Sequence, residues 1–126
     1  MIDSRSVIRT GTLLIVDDNS VVRSALFAYM SRVAGWESVV TAPDAGRGLL
    51  LAAEHAPAAI VLDNRMPGGD GIDMLIDLRR TCPHARIIMH TSEDTLDLRE
   101  RAVQLGADAV VPKGRPLDEL AALIDT

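Results

Sequence analysis

Short runs of aliphatic residues recur along the chain, each separated from the next by a longer stretch with helical spacing. The runs are Leu13–Val16, Ser38–Ala42, Ala58–Leu62, Arg86–His90 and Ala109–Val111. Four are nearly continuous in apolar residues, the pattern of strands covered on both faces. Between them, residues 19–33 place Val22, Leu26, Tyr29, Met30 and Val33 three and four apart, with Asn19 or Ser20 as the cap. The other predicted helices are 44–55, 71–80, 95–105 and 117–124, and Gly106 stops the fourth. Gly46 and Gly48 weaken the second, each costing about 1 kcal/mol against alanine in a helix interior. Five strands alternating with five helices predict an α/β fold, a single doubly wound parallel sheet with helices on both faces.

A chain of 126 residues suits one domain with a single core. Residues 1–11 read as an N-terminal lead, polar and aperiodic to Thr12, and 12–126 as the domain. The net charge of −5 and the absence of a Lys/Arg cluster exclude direct nucleic-acid binding by these residues. The early apolar run is too short for a signal peptide or a membrane span, which places the protein in the cytoplasm by default. Cys82 is the lone cysteine, so no internal disulfide is available, and with no base near it in sequence it reads as inert.

In sheets of this kind ligands bind at the carboxyl ends of the strands. The first run ends in Asp17-Asp18 and the third in Asp63, followed by Asn64-Arg65-Met66-Pro67-Gly68-Gly69-Asp70-Gly71. The fourth leads into Thr91-Ser92 and the fifth into Pro112-Lys113. Three acids, a hydroxyl and a lysine therefore converge on one edge. Carboxylates that close repel one another unless a cation or protons relieve them. With no thiolate or imidazole cluster, the cation should be hard, and Mg²⁺ fits. A carboxylate beside Mg²⁺ can attack phosphorus, and Lys113 and Thr91 supply the charge and the donor that phosphoryl transfer needs.

Each residue also has a plainer reading. Asp17 and Asp18 could cap the first helix, and Asp63 could close an Asx turn. Thr91 with Asp94 resembles a capping box, and most lysines are solvated surface residues. His55, His84 and His90 lack ligand spacing and read as surface or strand-edge histidines, although His90 adjoins Thr91.

Asp17-Asp18, Asp63-x-x-Met66-Pro67-Gly68 with Asp70-Gly71, Thr91 and Lys113, in this order, resemble the two-component response-regulator receiver domain, a CheY-like, flavodoxin-like fold with strand order 2-1-3-4-5. The separations of 45, 28 and 22 residues from Asp18 through Asp63 and Thr91 to Lys113 are similar to the family's. The resemblance implies that Asp63 takes a phosphoryl group from the phosphohistidine of a sensor histidine kinase. It implies Mg²⁺ bound by Asp18, Asp63 and the backbone carbonyl of Arg65, with Asp17 holding a metal-bound water. Lys113 would pair with phosphorylated Asp63, and Thr91 would swing to a phosphoryl oxygen and shift the fourth helix and its neighbours.

Two positions, Gly114 and Val110, depart from the family's common pattern. Gly114 follows Lys113 where much of the family has proline, which resembles the NarL/LuxR-type branch with a C-terminal helix-turn-helix output domain. Val110 stands where many receivers carry an aromatic switch residue. Arg65 and Glu93, two positions after Asp63 and Thr91, stand at places that in the family flank the approach of the hydrolytic water, and the resemblance leads us to expect that they pair and slow phosphoryl loss. Arg65 also stands where an aspartate-nucleophile phosphatase needs its general acid, which argues against an enzyme acting on free phosphoesters. The acidic loop after the first strand argues against a flavin or nucleotide binder. A degenerate receiver that binds partners without phosphorylation stays open, as does a phosphorylation-dependent homodimer through the last two helices.

Overall fold

In the computed structural model of the protein, the described residues are 9–66, 69–93 and 95–125. The elements are β1 (Arg9–Val16), α1 (Ser20–Arg32), β2 (Trp36–Ala42), α2 (Ala45–His55), β3 (Ala59–Leu62), α3 (Gly71–Thr81), β4 (Arg86–Thr91), α4 (Leu96–Gln104), β5 (Ala109–Pro112) and α5 (Leu117–Ile124). All strand pairs are parallel and the sheet order is β2-β1-β3-β4-β5. This is the doubly wound sheet that the alternation of runs and helices requires.

Strand alternation divides the core into two layers. Leu14, Val16, Ile60, Leu62, Ile87 and Met89 point toward Leu51, Leu75, Leu78 and Ala102 of α2, α3 and α4. Leu13, Ile15, Val61 and Ile88 point the other way, onto Leu26 and Met30 of α1 and Leu120 and Ile124 of α5. Leu13 to Val16 are fully buried, as expected of a strand with neighbours on both edges and helices on both faces.

The first strand corrects the expected boundary. Arg9 to Thr12 are not a loose lead but the opening of β1. Arg9 pairs with Trp36, and its N–H donates to the Gly35 carbonyl at 2.8 Å. The register slips between Arg9 and Thr12, where Gly11 takes φ +87°. The polar composition of this stretch hides a strand whose pairing is made by backbone groups rather than by apolar side chains. At the other end of the chain, an Arg9–Asp125 ion pair and an Arg86 Nε donation to the Leu123 carbonyl fasten the end of α5 to β1 and β4.

Candidate functional site

The backbone pairing of the sheet continues one residue past the strands and fixes the groups of interest. The Asp63 N–H donates to the Val16 carbonyl at 2.9 Å, setting Asp63 beside Asp17 across β1 and β3. The Lys113 N–H donates to the Thr91 carbonyl at 2.8 Å, setting Lys113 beside the end of β4. Asp17, Asp63 and Thr91 are buried, and Asp18 is exposed.

The lysine bridges two carboxylates. Lys113 Nζ lies 3.0 Å from Asp17 Oδ2 and 3.1 Å from Asp63 Oδ2. Oxygens of Asp17, Asp18 and Asp63 lie within 4.8 Å of one another. Burial raises the Asp63 carboxyl above the ordinary value, the Asp17 charge adds to the rise, and Lys113 only partly opposes it. Burial alone would lower the Lys113 ammonium, but its bonds to Asp17 and Asp63 outweigh that and raise it. A crowded acidic pocket with one resident cation is electrostatically unsatisfied, and three hard oxygen donors fit a small divalent ion.

The remaining expected residues also reach this end of the sheet. The Thr91 Oγ1 accepts from the Glu93 N–H at 3.1 Å. The exposed Arg65 guanidinium pairs through Nε with Glu93 Oε1, the pairing expected of these two positions. Val110 is buried on the α4 side of the sheet, and its carbonyl accepts from Arg99 at 3.3 Å. Gly114 adopts φ +93°, a backbone conformation closed to the proline common at this position.

Two expectations change. His90 is neither a surface nor an edge histidine: β4 lies between β3 and β5, and the imidazole is 4% exposed. Thr91 does not open a capping box, because α4 begins at Leu96 and Thr95 caps it, its Oγ1 accepting from the Leu98 N–H at 3.2 Å. Asp94, and the Pro67-Gly68 pair of the third-strand motif, lie outside the described residues.

Asn64 was not singled out by the sequence pattern, yet it is buried beside Asp63 with its amide bonded at both ends. A short polar residue in a run of loop residues carries no mark that distinguishes it. Gly71 is also placed by necessity: a methyl group there would overlap the Asp63 carbonyl oxygen.

The profile of the response regulator receiver domain matches residues 13–125. The chain belongs to the response regulator receiver domain family. This receiver is 37% identical over 110 residues to the response regulator MprA of Mycobacterium sp. (strain KMS), with 87% of this chain and 47% of that protein covered. It therefore spans about half the length of the curated relatives it matches. A two-component response regulator of the LuxR family from Aurantimonas sp. SI85-9A1 is 30% identical with a TM-score of 0.84, covering 93% of the receiver and 84% of that chain. A response regulator from Burkholderia pseudomallei, solved with a phosphorylated aspartic acid, calcium ion and citrate, is 26% identical with a TM-score of 0.86, covering 92% and 67%.

Proposed function

We propose that Asp63 is the phosphoacceptor of this receiver and that a sensor histidine kinase is its donor. The observation that carries the reading is the buried Asp63 carboxylate, bonded to Lys113 and flanked by Asp17 and Asp18. A carboxylate oxygen of Asp63 attacks phosphorus, the phosphorus–nitrogen bond of the phosphohistidine breaks, and the electron pair leaves with the imidazole. Lys113 already touches the attacking carboxylate and stays to neutralise the phosphoryl oxygens. Asp18, Asp63 and the Arg65 carbonyl would hold Mg²⁺, with Asp17 through a water, and the ion would supply further charge neutralisation on the same oxygens.

Once Asp63 is phosphorylated, the Thr91 hydroxyl turns toward a phosphoryl oxygen and α4, β5 and α5 repack, with Val110 among the buried side chains that shift. The Arg65–Glu93 pair covers the approach to Asp63 and slows hydrolysis. The receiver acts as a cytoplasmic signalling switch rather than an enzyme with a free substrate. Its output is an attached or partner module, of the helix-turn-helix DNA-binding kind suggested by Lys113-Gly114, engaged through a phosphorylation-dependent homodimer. No helix among the described residues is long and apolar enough to cross a membrane.

The test is intact mass after incubation with acetyl phosphate and Mg²⁺. Wild type gains one phosphoryl group, while Asp63→Asn, or wild type with the metal chelated, gains none. A wild type that stays unmodified sinks the phosphoacceptor role and leaves a phosphorylation-independent binding module.

A further inference from the structure

Asn64 sits at the junction of the two loops that the switch must coordinate. Its side chain is almost fully buried, 5% exposed, and an amide in that setting must place both its ends. Asn64 Oδ1 accepts from the Ile72 N–H at 3.1 Å, and Asn64 Nδ2 donates to Glu93 Oε2 at 3.3 Å. Its carbonyl accepts from the Gly71 N–H at 2.5 Å. The first contact is a helix cap delivered from across the loop. Asp70 occupies the N-cap position of α3 yet makes no side-chain cap bond, and the distant Asn64 meets the orphan donor instead.

The second contact reaches the neighbouring loop. Glu93 Oε2 accepts from Asn64 and Glu93 Oε1 from Arg65, so the two residues following the phosphoacceptor hold one carboxylate between them. The main-chain N–H of that same Glu93 donates to Thr91 Oγ1. A continuous hydrogen-bonded path thus runs from the residue after Asp63, through Glu93, to the threonine. Rotation of the Thr91 hydroxyl toward Asp63 breaks the bond from the Glu93 N–H, and that N–H is held in place by the carboxylate that Asn64 grips.

We infer that Asn64 is a positioning residue that latches the Glu93 loop against the Asp63 loop and so restrains Thr91 in the unphosphorylated receiver. The inference rests on the phosphoacceptor reading of Asp63. Arg65 alone is a poor latch because its side chain is 76% exposed, where an ion pair is worth little. The buried amide is the stiffer half. Asn64 is therefore not a catalytic residue: it acts through Glu93 and Thr91.

Capping and latching can be separated chemically. Asn64→Asp keeps an acceptor for the Ile72 N–H but turns the donor toward Glu93 into a second carboxylate. Adding Glu93→Gln restores the contact with donor and acceptor exchanged. Glu93→Ala cuts the latch from the exposed end and leaves the α3 cap untouched.

Residue-resolved amide exchange at pH 8, followed by phosphorylation with acetyl phosphate and Mg²⁺, tests the assignment. In Asn64→Asp and in Glu93→Ala the residue-93 amide exchanges faster while the Ile72 amide stays protected. Both variants take up the phosphoryl group about fivefold faster than wild type, the effect of one hydrogen bond of ordinary net worth. The exchanged pair returns to wild-type behaviour in both readouts. Unchanged exchange and rate in both single variants overturn the latch. So does a faster Ile72 amide together with residue 93, unrescued by the exchanged pair, which would make Asn64 a structural cap and nothing more. A wild type that takes no phosphoryl group overturns the phosphoacceptor reading and the latch with it. A phosphorylated wild type matched by its variants overturns the latch alone.

Discussion

A buried imidazole whose Nδ1 finds no hydrogen-bond partner is costly, and His90 is such a group among the described residues. Burial, joined by the nearby Lys113 charge and opposed in part by Asp17, lowers its pKa to about 4. A histidine depressed in the folded state takes up a proton on unfolding, so its neutral form is stable above the unfolded value near 6.5. As pH falls from about 6.5 to about 4, folding stability is lost. The span corresponds to roughly 3 kcal/mol at most. His90→Leu should flatten the stability-against-pH curve across that window in urea titrations, and a curve as steep as wild type would show that other groups set it. The contrast with the acids is instructive. Asp17, Asp63 and Lys113 were readable from sequence because strand ends are readable, and as a set they match one chemistry even though each alone has a plain structural use. His90 and Asn64 are polar residues whose significance lies in being buried, and nothing in a single sequence says which polar residue the fold will cover.

Among the elements, α2 shows how a propensity argument misleads when it is not joined to packing. Its two glycines look equivalent in sequence, each a local weakness relieved by alanine. In the fold they differ. A methyl at Gly46 meets only the Asp44 carboxylate oxygen at 3.6 Å, in ordinary contact. One at Gly48 comes within 3.0 Å of Met74 Cε and of Val16 Cγ2. The methionine end can move, but the β-branched Val16 is stiff and locked in the sheet. Gly46→Ala should therefore stabilise by up to about 1 kcal/mol, whereas Gly48→Ala should gain nothing and Gly48→Val should cost about 2 kcal/mol or more. Thermal melts of the three variants check this, and equal gains at both positions would mean that α2 can retreat from β1. The same lesson applies to β1, whose opening from Arg9 is held by backbone pairing to β2 and leaves no aliphatic run to read. Element existence followed from periodicity. Where an element starts, and which of its faces must stay bare, followed from its neighbours.

Across the whole molecule, the carboxyl edge of the sheet is a place where stability is given up for chemistry. Two cores of aliphatic side chains hold the strands rigidly, and that rigidity is what keeps Asp17 and Asp63 close despite their like charge. Because the Asp63 carboxyl is raised in the folded state, the native protein binds its proton more tightly than the unfolded chain does. The stabilisation tied to that proton is complete below the ordinary value of 3.8 and lost as pH rises through the folded value. At neutral pH the ionised group therefore works against the fold, and Asp63→Asn should melt a few degrees higher than wild type, the difference closing as pH falls toward 3.8. Magnesium should relieve the same repulsion. At free ion ten times above its dissociation constant, the linkage amounts to about 1.4 kcal/mol, again a few degrees in Tm, and a chelator should remove it. The two effects draw on one source, so they should not add: Asp63→Asn, already relieved, should respond to magnesium less than wild type. Lys113 makes the prediction sharper, since its ammonium already satisfies part of both carboxylates and leaves only the remainder for a metal. Additive shifts would mean that the ion binds elsewhere, and that the acidic edge is held together by the lysine alone.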